Sequence, residues 1–203
     1  LSLKNQSIAI FEQIEDGVDG IIGLNLCKEY IVHVDFDTQL LYLYSFGDYD
    51  FAQNGETMNI TIPDGIILVP CTINIVGKKE VSGHFIFDTG ANYHVIAFEQ
   101  FVRKNRLLLS GFKSEEQAST VSMGISTPVF KGKTAIFRVG KNIERFDMPI
   151  TLQASGGQSN NNKNVPDGSL GIQLLNQFNF TIDTLRKKIH LVPNQKGELE
   201  GEE

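Results

Sequence analysis

The residues best suited to chemistry in this chain converge on one short stretch, Asp88-Thr89-Gly90-Ala91. It follows directly on the apolar run Val81 to Phe87 and precedes Asn92-Tyr93-His94-Val95-Ile96. A carboxylate at the end of a buried strand is costly unless it is hydrogen-bonded or paired; a neighbouring hydroxyl and a permissive glycine backbone supply what it needs. Held in that way, and given a second acid–base group, a carboxylate can take a proton from water and return it to a substrate. The plain alternative is a strand-end turn, in which Asp and Gly are common for conformational reasons alone.

Other chemistries find less support. His33, His84, His94 and His190 lack the spacing of a zinc helix, so neither a metal nor any cofactor is expected. Gly132-Lys133-Thr134 resembles the end of a phosphate-binding loop, but the glycine required five residues earlier is Thr127. Gly168-Ser169-Leu170-Gly171 is not the Gly-x-Ser-x-Gly turn of a serine hydrolase. Cys27 and Cys71 form neither a metal motif nor a disulfide framework. Asp35 and Asp183 read as turn or hydrogen-bonding residues, since no glycine follows either. Arg186-Lys187-Lys188 reads as a solvated turn. Lysine plus arginine number 18 against 24 acidic residues, a net charge of −6 without a long basic run, which argues against nucleic acid as a partner. The longest apolar stretch, around Ile66 to Val69, is far short of the roughly 20 residues a membrane helix needs.

The elements that must position Asp88 are mainly β. Hydrophobic residues make up 41% of the 203, ample for a core. An internal repeat organises the chain: Asp19-Gly20-Ile21-Ile22-Gly23-Leu24-Asn25-Leu26 aligns without a gap on Asp167-Gly168-Ser169-Leu170-Gly171-Ile172-Gln173-Leu174 at an offset of 148. The match continues through Tyr30/Phe178, Val32/Phe180, Val34/Ile182, Asp35/Asp183, Leu41/Ile189 and Leu43/Leu191. Each copy reads as an apolar strand ending in glycine, a short helical turn and a β-hairpin. Between the copies, residues 47–56 read as a linker, followed by strand-like runs at Met58 to Ile62, Ile66 to Val76 and Val81 to Phe87. The spacing of Phe98, Phe101, Val102 and Leu108 predicts a helix over Ala97 to Leu108. Val121 to Val139 predicts one or two hairpins, the segment 155–164 a mobile polar loop, and the acidic tail 195–203 a frayed end.

The Asp88-Thr89-Gly90-Ala91 loop after an apolar strand, with an apolar-glycine element about 80 residues later, resembles the aspartic peptidases, both retropepsin-like and pepsin-like, and most of all the bacterial retropepsin-like proteases built of repeated lobes. In that family an Asp-Thr/Ser-Gly loop is paired later in the same lobe with a hydrophobic-hydrophobic-glycine motif. Ser169-Leu170-Gly171 takes that second part here, with Ser169 replacing an apolar residue. The resemblance implies an acid-protease β-barrel lobe over residues 57–194, with one short helix after the Asp-Thr-Gly loop. Residues 1–46 would be the back half of a first lobe whose front half is not in the sequence, Ile21, Ile22 and Gly23 being its counterpart of the glycine motif. It implies Asp88 as a catalytic residue supported by Thr89, Gly90 and Ala91, and a flap hairpin near Thr120 to Val129, with Ser122, Met123, Gly124 and Ile125 at its tip. That segment has no counterpart of the flap tyrosine of pepsin-like enzymes.

The implied activity is endopeptidase cleavage of a peptide or protein substrate by water activated between two carboxylates. Two carboxylates about 3 Å apart share one proton, so one serves as base and the other as acid. The chain carries one Asp-Thr-Gly, and its partner would come from an upstream half-lobe or from a homodimer. A peptide-binding or assembly module that retains the fold without turnover is the alternative, and a structural β-module in which the loop is only a tight turn is a third. An extracytoplasmic setting is implied only by the family.

Overall fold

The computed structural model describes residues 23–47, 49–76, 80–122, 125–154 and 165–199. The chain is mainly β, with two open sheets and a few short helices. A short helix α1 (Asn25–Glu29) leads into a hairpin of β1 (Ile31–Asp35) and β2 (Leu40–Tyr44). After β3 (Glu56–Asn59) come β4 (Leu68–Asn74), β5 (Val81–Phe87) and β6 (Val95–Ala97), then helix α2 (Glu99–Asn105). Two hairpins follow, β7 (Ser114–Ser122) with β8 (Ile125–Lys133), and β9 (Ile136–Val139) with β10 (Ile143–Phe146). The chain closes with β11 (Pro149–Gln153), β12 (Gly168–Leu170), α3 (Ile172–Leu175), the hairpin of β13 (Phe178–Asp183) and β14 (Lys188–Pro193), and α4 (Gln195–Leu199).

One sheet has the strand order β2-β1-β13-β14-β3, the other β10-β9-β4-β5-β12-β6-β11-β8-β7. Neither closes on itself, so the expected barrel is corrected to open sheets: the nine-stranded sheet ends in β10 and β7, and these outer strands do not pair with each other. Strand β5 alternates in burial, with Gly83, Phe85 and Phe87 buried and Ser82 and His84 exposed. Phe85 is the hub of the larger core, meeting Phe101 and Phe137 edge to face at 5.6 and 6.1 Å between ring centres.

The repeat holds down to individual hydrogen bonds. In the first hairpin the Thr38 amide donates to Asp35 Oδ1 at 3.0 Å, and in the second the Arg186 amide donates to Asp183 Oδ1 at 2.9 Å. Both bends then pass through a left-handed residue, Gln39 at φ 59° and Lys187 at φ 53°. Asp35 and Asp183 are thus turn-capping residues. Arg186 is more than a solvated turn residue, since its guanidinium pairs with Asp183 at 2.7 Å and lies over the Phe51 ring.

The two copies also pair with each other. Strand β1 runs antiparallel to β13 with Val32 opposite Ile182, His33 opposite Thr181 and Val34 opposite Phe180. Because the offset is 148, His33 faces its own counterpart, and the neighbouring pairs exchange under a two-fold rotation about that point. A hydrogen bond of 2.9 Å joins His33 Nδ1 and Thr181 Oγ1 on this local axis.

Two predicted boundaries shift. The helix expected over Ala97 to Leu108 is shorter, because Ala97 is claimed by β6 and the helix ends where Arg106 turns left-handed at φ 52°. Leu107–Leu109 continue as one 3₁₀ turn. The tail is helical over α4, because the Asn194 side chain accepts the Gly197 amide at 3.0 Å and caps its first turn. The loop 155–164, residues 200–203, Ile21, Ile22, Met123 and Gly124 lie outside the described residues.

Candidate active site

Strand β5 ends at Phe87 and the chain turns through Asp88 to His94 before re-entering the sheet as β6. Strand β12 is threaded between these two arms. It runs parallel to β5, with Gly168 opposite Phe85 and Leu170 opposite Phe87, and antiparallel to β6, with Gly168 opposite Ala97 and Leu170 opposite Val95. The loop is therefore clasped by the segment that leaves β12. The Asp88 amide donates to the Leu170 carbonyl at 3.0 Å, and the Gly171 amide to that of His94 at 2.9 Å. The amides of Ile172 and Gln173 donate to the carbonyls of Ala91 and Tyr93 at 2.8 and 3.1 Å. Four backbone hydrogen bonds tie Ser169-Leu170-Gly171 and the first residues of α3 to the Asp88 loop.

Steric necessity explains the glycines of the clasp. A Cβ on Gly171 would overlap the Tyr93 carbonyl oxygen and come within 2.7 Å of the Ala91 carbonyl oxygen, both backbone atoms. A Cβ on Gly168 would overlap the Ile96 carbonyl oxygen and the Phe85 ring. Gly90 differs: its nearest neighbour would be Asp88 Oδ1 at 3.4 Å, an ordinary contact. Packing among the described residues therefore requires glycine at 168 and 171 but leaves room at 90.

Asp88 is half-buried, and its Oδ1 accepts the Gly90 amide at 3.0 Å. Thr89 and Gly90 are exposed, and Ala91 is half-buried. Ser169, by contrast, is only 1% exposed between Ile86 and Ile96 of the flanking strands, and Leu170 is fully buried. Ser169 lies beside Tyr93, and its buried hydroxyl makes no close hydrogen bond among the described residues. Burial pushes the Tyr93 phenol above its ordinary value, the Ser169 hydroxyl pulls it back, and the Asp88 carboxylate raises it. Tyr93 is thus a member of the site that reading the sequence missed. Its place five residues after Asp88 was visible, but nothing in the spacing marks its ring as turned toward Ser169.

The predicted hairpin is present and longer than expected. Strands β7 and β8 pair from Ser114/Gly132 to Ser122/Ile125, at the outer edge of the nine-stranded sheet beyond β11. Backbone at Ser122 and Ile125 belongs to these strands, while the tip residues Met123 and Gly124 are outside the description. A groove of about 670 Å³ opens between this hairpin, β11 and the loop, lined by Tyr93, Glu116, Lys131, Thr151 and Gln173 among others. Gly23, the described member of the first copy's glycine motif, is exposed with no atom within 4 Å of an added Cβ. Among the described residues no group of three or more His, Cys, Asp and Glu is placed to hold a metal ion. No described helix is long and apolar enough to cross a membrane.

Comparison with known proteins finds similar solved structures. A retropepsin-like aspartic protease from Rickettsia conorii superimposes with a TM-score of 0.43 at 18% identity, over 71% of this chain and 96% of that one. No family model matches the chain, and no curated protein matches it.

Proposed function

We propose that this chain is an aspartic endopeptidase in which Asp88 is one of two catalytic carboxylates. The observation that carries the proposal is the clasp: β12 threaded between β5 and β6 with its glycine locked under the loop, presenting Asp88 half-buried and Thr89 and Gly90 to the outside. The room around Gly90 supports it further, since this lobe's packing gives no reason for glycine there. A close neighbour across the site would.

The chemistry follows from a pair of carboxylates sharing a proton. The ionised member removes a proton from a water held between them, and the water oxygen bonds to the peptide carbonyl carbon. The protonated member gives its proton toward the carbonyl oxygen, producing a gem-diol. Collapse of the gem-diol breaks the C–N bond as a proton reaches the leaving amine, and the dyad regains its starting charge. Asp88 supplies one carboxylate; the second comes from a second lobe. The hairpin β7–β8 and the groove beside Tyr93 would hold an extended peptide by strand-like hydrogen bonds and side-chain contacts.

The single Asp-Thr-Gly in the sequence favours one competing reading, a lobe that binds extended peptides without cleaving them. Cleavage of a peptide library across acidic and neutral pH, comparing the wild type with Asp88→Asn in the assembled molecule, decides between them. Loss of at least about 1,000-fold in rate is expected for the variant. Cleavage that persists in Asp88→Asn refutes the assignment of Asp88, and peptide binding without turnover at any pH favours the binding module.

A further inference from the structure

Helix α2 ends in a turn that drives a leucine outward. Arg106 turns left-handed at φ 52°, its amide donating to the Arg103 carbonyl at 3.1 Å, and Leu107–Leu109 close one 3₁₀ turn. The Leu109 amide donates to the Arg106 carbonyl at 3.0 Å, and the Leu107 carbonyl accepts the amide and the hydroxyl of Ser110 at 3.2 and 2.6 Å. Leu107 is 2% exposed and anchors the turn in the core. Leu109 is 83% exposed, more than any other large apolar side chain among the described residues. Its exposure is thus imposed by a hydrogen-bonded turn. The turn divides two clefts of about 260 and 320 Å³: Leu108 and Leu109 line the first, Leu107 and Ser110 the second, and Arg106 lines both.

Positive charge surrounds this leucine. Between residues 100 and 114 stand Arg103, Lys104, Arg106 and Lys113, all exposed, with no acidic residue among them, in a chain of net charge −6. Arg103 and Arg106 line the cleft that Leu109 borders, and Lys104 lines its neighbour. Glu99 pairs with Arg103 at 3.6 Å, and no salt bridge among the described residues holds Lys104 or Arg106. We propose that this turn docks the protein on an anionic lipid bilayer, with Leu109 entering the acyl boundary and Arg103, Lys104 and Arg106 lying on the headgroups. Apolar insertion and cationic attraction act together at such surfaces, and each is weak alone.

Shape favours lipid over an acidic protein. A protein partner must offer a cavity matched to the protruding leucine, whereas a bilayer is fluid and accepts a crest of any outline. The segments adjoining the clefts in sequence supply no alternative. Residues 77–79 are Gly-Lys-Lys, and residues 155–164 hold one lysine among serine, glycine, glutamine and asparagine, so neither contains an apolar cover or a negative charge. Residues 200–203 carry negative charge without an apolar group. Residues 1–22 contain both, in Ile8, Ile10, Phe11, Glu12 and Glu15, and are the rival occupant that the test must separate. The inference rests on this turn and not on the proposed catalysis, and its test does not involve cleavage.

The test measures co-sedimentation with vesicles of phosphatidylcholine, either alone or with about 40% phosphatidylglycerol. Binding is expected on the anionic vesicles only, and it should fall as salt rises to about 0.5 M. Lys104→Gln combined with Arg106→Gln should weaken it about 25-fold, at about fivefold per cation, and Leu109→Ser about tenfold. These positions are exposed, so the variants should keep the wild-type urea melt. The chain has no tryptophan, and Leu109→Trp therefore places a single reporter on the turn. Its emission should move to the blue with anionic vesicles and be quenched by lipids brominated in their acyl chains. Equal binding to neutral vesicles, binding unaltered in the variants, or emission that does not respond to lipid overturns the proposal. Emission already blue without lipid assigns the turn to a segment of the chain itself, residues 1–22 foremost, and overturns it as well. Capture of polyglutamate without binding to anionic vesicles assigns the surface to an acidic protein instead.

Discussion

Gly171→Ala tests the claim that the clasp, and not a glycine's conformational freedom, sets the geometry of Asp88. Gly171 has φ −102° and ψ 176°, extended backbone that alanine adopts without strain. Its cost must therefore be steric. The new methyl would collide with the carbonyl oxygens of Tyr93 and Ala91, which cannot swing aside as a side chain can. Overpacking of this kind costs about 1–3 kcal/mol. If the loop instead retreats, the bonds from Gly171 and Ile172 to His94 and Ala91 are weakened, at about 1 kcal/mol each. Against this, alanine reduces the entropy of the unfolded chain, worth about 0.4–1 kcal/mol of stabilisation. The net expectation is a destabilisation of about 2 kcal/mol, read by urea melts at neutral pH with an unchanged slope. Gly90→Ala is the control: with 3.4 Å of room it should lie within about 0.5 kcal/mol of wild type. A Gly171→Ala melt indistinguishable from wild type, or a Gly90→Ala melt displaced as far, would refute the reasoning.

Two further expectations concern the scaffold. Glu56 is buried and accepts the amides of Lys141 and Asn142 at 2.6 and 2.7 Å, so Glu56→Ala frees the turn between β9 and β10 and should cost about 3 kcal/mol in a chemical melt. An unchanged midpoint would show that the clamp is ornamental. His33 and His190 have values lowered mainly by burial, so the unfolded chain binds protons more readily than the folded one as pH falls through about 6.5. Their contribution is present above that range and lost below it. Melts at pH 7.5 and 5.5 should show stability falling with acidity, and His33→Asn should flatten the fall; an equal slope in the variant would rule His33 out as its source.

Much of this molecule was legible in the chain because it depends on local periodicity. An apolar run marked β5, alternating apolar residues marked both hairpins, and the offset of 148 identified pairs of residues that do the same work, down to Asp35 and Asp183 capping equivalent bends. The Asp88 loop and its glycine partner were legible as well, since a buried strand running into Asp-Thr-Gly is an expensive arrangement that needs an answer elsewhere in the chain. Local reading misplaced the ends of α2 and the start of the tail. There the deciding partners were the claim of β6 on Ala97 and the cap provided by Asn194.

The sequence by itself determined which residues alternate, where the chain must turn, and that two segments share one plan. Only the tertiary structure decided that β12 passes between β5 and β6, that Gly171 is required and Gly90 is not, that Tyr93 lies beside Ser169, and that the sheets remain open. The physical reason is separation along the chain. Periodicity records which side of an element is apolar, whereas the atoms that crowd Gly171 come from residues about 80 positions away, and that proximity exists only after the sheets have formed.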